Sequence, residues 1–148
     1  RGTGRIKAPG RKRRGEKPRP PFIRGVFMLY IKPFTSEDGL PQFAEAFREG
    51  RLSYIAFSGK EIIGHIFYRA RPDRLFIEEV ESGGDLGLFD GLIRAVADAA
   101  VTAGLPCVEF GPKVDKASLS VLSVPVDGQN CLGSLPAFLH NCKSCNFS

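Results

Sequence analysis

The sequence has few cysteines, a single methionine and no long apolar run, and these shortages exclude several protein classes. Four cysteines in 148 residues are too few for the disulfide framework of a small secreted domain. No apolar run approaches the roughly 20 residues a membrane-crossing helix needs. The N-terminus is basic but has no apolar segment of the secretory kind. We therefore expect a soluble, cytoplasmic protein with no membrane partner. The only methionine is Met28, directly before the first strand-like pattern. A natural start there would make everything upstream irrelevant to the domain.

The charge is unevenly spread. Residues 1–20 carry nine Lys and Arg against Glu16 alone, a balance of +8; residues 21–148 hold twelve bases and fifteen acids, a balance of −3. Residues 1–25 also contain five glycines and four prolines. Such a stretch buries too little apolar surface to offset its ordering entropy, so a disordered basic tail is expected over 1–25, with one domain over 26–148. The tail reads either as solvated chain or as a nucleic-acid-binding arm held by phosphate contacts.

The domain itself is well punctuated. A strand is expected from Met28 to Phe34 and a turn at Ser36-Glu37-Asp38. A helix follows that opens on Pro41, carries Phe43, Ala44 and Phe47, and stops at Gly50. Leu52 to Phe57 and Glu61 to Tyr68 alternate like strands around a Ser58-Gly59-Lys60 turn, and Leu75 to Val80 adds a third antiparallel strand. The glycine-rich loop Ser82–Gly87 then opens a helix to about Ala103, whose apolar face collects Leu88, Leu92, Ile93, Val96, Ala100 and Val101. Pro106 to Phe110 reads as a buried strand beside the third strand of the meander. Beyond Gly111 the patterns weaken to a strand over Ser118–Val124 and a short helix over Ser134–Cys142.

A glycine-rich loop that opens a helix after a strand can hold a phosphate on its backbone N–H groups. This order of elements resembles the GNAT superfamily of acyl-CoA-dependent N-acyltransferases. The likeness rests on Leu29–Asp38, on the Tyr54–Tyr68 hairpin with Gly64, and on Phe76–Val80. It is closest in Gly87-Leu-Phe-Asp-Gly-Leu-Ile-Arg-Ala-Val followed by Ala103-Gly104-Leu105. The resemblance implies an α/β fold with a mixed, mostly antiparallel sheet and flanking helices. It also implies that the fourth and fifth strands splay apart, near Val80 and Val108, to admit acetyl-CoA. Val80, Ser82, Gly83, Gly84, Leu86, Gly87 and Leu88 would then line the cofactor site, and the acceptor would be an amine, small or on a protein.

The chain departs from the family signature at two positions. Gly84 stands where Arg or Gln is usual, and Phe89 stands where a Gly or Ala lets the phosphates approach. Asp85 would oppose a phosphate and reads alternatively as the helix N-cap. The resemblance places a general base on the fourth strand, where Glu78 and Glu79 are candidates. Neighbours on a strand face opposite ways, so one of the two is expected to face the cleft, with Glu79 preferred. Both could equally be solvated, or paired with Arg69, Arg71 or Arg74. The Val80 N–H is the candidate oxyanion donor.

The family's acid tyrosine has no counterpart before Cys145-Asn146-Phe147, which leaves His140 as the candidate acid. The family's last strand also lacks a counterpart, and a homodimer could complete the sheet. An alternative reading is a catalytically degenerate member serving as a binding or regulatory module. Cys131, His140, Cys142 and Cys145 could also be read as a zinc set, but their spacing is irregular and no metal is assigned. His65, inside a hairpin strand, reads as a surface or core residue.

Overall fold

The computed structural model describes residues 29–140. The basic segment 1–25, and Cys142 and Cys145 of the alternative zinc set, lie outside the described residues. In chain order the elements are β1 (Leu29–Pro33), a 3₁₀ turn (Ser36–Asp38), α1 (Pro41–Arg48), β2 (Leu52–Ser58), β3 (Glu61–Ala70) and β4 (Arg74–Glu81). They continue with α2 (Leu86–Thr102), β5 (Cys107–Phe110), α3 (Lys116–Val121), β6 (Cys131–Leu132) and α4 (Leu135–His140).

The six described strands form one sheet in sequential order. Every pairing is antiparallel except β4 with β5, where the crossover through α2 makes the strands parallel. Turn chemistry fixes the early register. Lys32 Nζ lies 2.7 Å from the Asp38 carboxylate, which also takes the Thr35 N–H at 2.8 Å, and Pro41 opens α1.

The sheet buries both faces unequally. The main core lies under α2, where Leu92, Ile93, Val96 and Ala100 meet Ile66, Ile77, Val108 and Phe110. A smaller core under α1 joins Phe43 and Ala46 to Ile55 and Phe67. Burial of each large aliphatic or aromatic side chain stabilises by about 1.5–3 kcal/mol, so α2 is the element that holds the domain together. Val101, expected on the buried face, is instead 38% exposed, one step beyond the apolar arc.

The strand expected over Ser118–Val124 is a helix. Asp115 caps it, accepting the Ala117 N–H at 3.3 Å and the Ser118 hydroxyl at 2.6 Å, and only Leu119 turns fully inward. The next strand is the two-residue β6, which pairs with β5 at Val108 and Glu109.

Candidate active site

The parallel pairing of β4 and β5 ends early. Its last register pair is Ile77 with Phe110, closed by the Gly111 N–H donating to the Ile77 carbonyl at 2.8 Å. Gly111 permits this closure, because a Cβ there would lie 2.9 Å from both the Ile77 oxygen and the Phe76 ring. The chain then turns toward α3, while β4 continues through Glu78–Glu81 with β3 on one side only. Among the described residues no strand pairs with that second edge.

Two recesses flank the open edge. One, of about 180 Å³, lies at the entrance to α2 and is lined by Val80, Glu81, Ser82, Gly83 and Gly84, with Leu86, Phe89, Asp115 and Ser118 closing it. The other, of about 460 Å³, is lined by Glu78, Glu79, Phe76, Arg51, Arg69 and Lys113, with Glu49 and Pro112 at its rim. Successive residues of β4 thus face successive residues of the segment after β5, on two sides of one gap.

The loop at the smaller recess uses its glycines as expected. Gly83 and Gly84 have φ of 62° and 85°, a region that side chains with a Cβ rarely adopt. Asp85 is the N-cap of α2, accepting the Leu88 N–H at 3.0 Å, and the Gly83 N–H donates to the Glu81 carboxylate at 3.0 Å. Two of the N–H groups expected to meet a cofactor are therefore occupied by the protein's own acids. The N–H groups of Gly84, Leu86 and Gly87 have no hydrogen-bond partner among the described residues. Phe89, standing where a small residue was expected, is 4% exposed and packs into the main core, forming a wall of the recess.

On the larger recess the two glutamates share a face, contrary to the alternation expected of neighbours. In the β3–β4 ladder Phe67 faces Glu79 and Tyr68 faces Ile77, so Glu78 is an inserted bulge residue. The bulge brings both carboxylates into one recess and gives them different environments. Glu78 accepts from Arg51 Nε at 2.8 Å and from Arg69 Nε. Burial works to raise its pKa, but those hydrogen bonds outweigh burial and hold the carboxyl below its ordinary value. Arg69 is therefore the partner foreseen for these acids, and Arg51 is an additional one.

Glu79 is 38% exposed and, among the described residues, pairs with a single polar side chain, the His65 ring, whose Nε2 lies 3.4 Å from Oε2. His65 stands edge-on to Phe43 at 5.4 Å and against Phe67 at 4.8 Å, which fixes its ring beside the carboxylate. The sequence hides this contact, which depends on β3–β4 register. His140 is exposed at the end of α4, an element packed on α2, and lines neither recess. Cys131 is buried, accepts from Arg74 Nη1 at 3.1 Å, and has its thiol pKa raised by burial. Among the described residues no three His, Cys, Asp or Glu side chains converge as metal ligands, and no helix is long and apolar enough to cross a membrane.

Neither a protein-family model nor a curated protein sequence matches this chain. Solved structures do match it. A GNAT family acetyltransferase from Elizabethkingia anophelis with acetyl-CoA bound is similar at 14% identity and TM-score 0.52, over 64% of this chain and 72% of that one. A putative streptothricin acetyltransferase from Bacillus anthracis in complex with acetyl coenzyme A matches at 15% identity and TM-score 0.52, over 66% and 80%. The ribosomal-protein-S18-alanine N-acetyltransferase from Escherichia coli matches at 13% identity and TM-score 0.51, over 65% and 75%. Identities this low speak for architecture rather than chemistry. The fold of this chain is that of the GNAT acetyltransferases.

Proposed function

We propose that the protein is an N-acyltransferase that moves an acyl group from acyl-CoA to an amine. The observation that carries this reading is the open β4 edge over Glu78–Glu81, with hydrogen-bond donors on one side of it and an accessible carboxylate on the other. The residues fit the co-substrate in part. Gly84, Leu86 and Gly87 offer N–H groups at the positive end of a 17-residue helix, and that arrangement suits a pyrophosphate. Bound acyl-CoA would supply the thioester, whose C–S bond breaks as the C–N bond to the amine forms.

The protein's part is to receive a proton, steady an oxyanion and hold both reactants. Glu79 accepts the proton lost by the attacking amine, directly or through water, while His65 keeps its carboxylate aimed. Glu78, held between Arg51 and Arg69, stays ionised and acts as scaffold rather than base. The Val80 N–H is assigned to the oxyanion. We assign no acid to the departing sulfur: a thiol of ordinary pKa, about 8.5, leaves more readily than an alcohol would.

A second reading, a GNAT-fold binding module without turnover, is favoured by one feature. Glu81 and Asp85 sit on the loop's N–H groups, and Asp115 lines the same recess. A hydrogen bond from Ser118 holds the Asp115 carboxyl below its ordinary pKa, so its charge opposes a phosphate at neutral pH. Thiol release from acetyl-CoA in the presence of a panel of primary amines separates the two readings. Amine-dependent release above the hydrolytic background is expected. Its absence with folded protein and millimolar acetyl-CoA leaves the binding module.

A further inference from the structure

We infer that the larger recess takes an amphoteric amine, an α-amino acid with a free carboxylate, rather than a polycationic acceptor. The inference rests on the transferase reading for the amine's fate, while its recognition follows from the charges around the recess. Three acids and three bases line it, and they are not evenly paired. Arg51 and Arg69 converge on the single carboxylate of Glu78, so that cluster carries one positive charge in excess, while Glu49 and Glu79 supply the balancing negative charge elsewhere in the recess. Lys113, exposed on the segment after β5, makes no ion pair among the described residues. Glu79 lines the same recess, with only the His65 ring paired to it among the described residues.

The guanidinium groups differ in what they have left to offer. Arg69 uses Nε on Glu78 and Nη1 on the Glu49 carbonyl at 3.0 Å. Arg51 uses only Nε, with its guanidinium stacked 4.3 Å from the centre of the Phe67 ring. Its two Nη groups have no partner among the described residues. A planar fork of this kind matches a carboxylate, and Lys113 adds a second cation for the same anion.

An α-amino acid satisfies both poles, its nitrogen at Glu79 and its carboxylate toward Arg51 and Lys113, with Phe76 and Pro112 as apolar walls for the side chain. A polyamine or aminoglycoside has no anion to offer Arg51 and Lys113, and its further ammonium groups would unbalance a recess whose three acids and three bases already cancel. The recess, at about 460 Å³, falls within the range of small-molecule sites, roughly 300–1,000 Å³.

Calorimetric titration of the whole chain with phenylalanine, its descarboxy analogue phenethylamine, and spermidine tests this. Phenylalanine is expected to bind about tenfold or more tightly than phenethylamine, the margin of one charge-assisted contact. Lys113→Ala should narrow that ratio, and Lys113→Glu should reverse it. A change of ligand preference at an exposed loop position is not something lost folding can mimic. Equal or tighter binding of phenethylamine or spermidine to the unaltered protein overturns the inference, as does the absence of binding by all three.

Thiol release from acetyl-CoA, measured in parallel, keeps the two claims apart. Preferential phenylalanine binding without thiol release supports the recognition inference while removing the transferase reading. Release driven only by phenethylamine or spermidine keeps the transferase reading and overturns the inference.

Discussion

Replacing Glu79 with Gln is expected to lower amine-dependent thiol release by about 10²–10³-fold, the contribution typical of a positioned general base. The glutamine keeps the shape of the side chain and loses its negative charge together with its capacity to take a proton. Glu79 is 38% exposed and its one polar side-chain partner among the described residues is His65, which a glutamine oxygen can still meet, so the substitution breaks no arginine pair and the fold should persist. Glu78 offers the contrast. Its two arginine partners make it part of the scaffold, and Glu78→Gln should cost stability before it costs chemistry. Steady-state rates with saturating acetyl-CoA, read beside melting temperatures, check this assignment. An unchanged rate for Glu79→Gln would remove the carboxylate from the mechanism.

Gly64→Ala is expected to destabilise the domain by about 2–3 kcal/mol, toward the upper end of what overpacking costs. Gly64 lies on β3 where the end of β4 and the first turn of α2 close over it. A Cβ there would stand 2.6 Å from the Glu81 carbonyl oxygen and 2.9 Å from Leu88 Cδ2. The Leu88 contact could yield by rotation; the backbone oxygen cannot move without shifting β4. That shift would reach the open edge and the loop after it, so acetyl-CoA affinity should fall together with stability. Urea unfolding measures the first effect, with Gly128→Ala as a control because nothing lies within 4 Å of that added carbon. A Gly64→Ala protein within about 0.5 kcal/mol of the parent, the range of ordinary surface changes, would mean that β4 relaxes freely.

The parts of this architecture that could be read from sequence are those in which periodicity and punctuation agree. Residues 52–81 alternate with period two between tight turns, and α2 carries eight buried residues at helical spacing behind an Asp cap. What escaped depends on register between strands. The bulge at Glu78 adds one residue to one strand and leaves no compositional mark, yet it turns the neighbour of Glu79 onto the same face. The His65–Glu79 contact follows from that same register. At α3 the alternation of Leu119 and Val121 with serines imitated a strand, and the stronger signal was Asp115, a capping residue three positions before Ser118. β6 has two residues, too few for any period to show.

The candidate site shows the same division. The loop, its glycines and the two glutamates could be located from sequence. Which N–H groups remain open, and which glutamate is held by arginines, required the fold.

Titration with acetyl-CoA, followed on individual backbone amides by NMR, bears most directly on the central claim that the unpaired β4 edge and the entrance to α2 form one acyl-CoA site. Saturable shifts are expected at Gly84, Leu86 and Gly87, and together with them at Glu78–Val80 and Gly111. A folded protein whose amides at those positions stay unmoved at millimolar acetyl-CoA would contradict it.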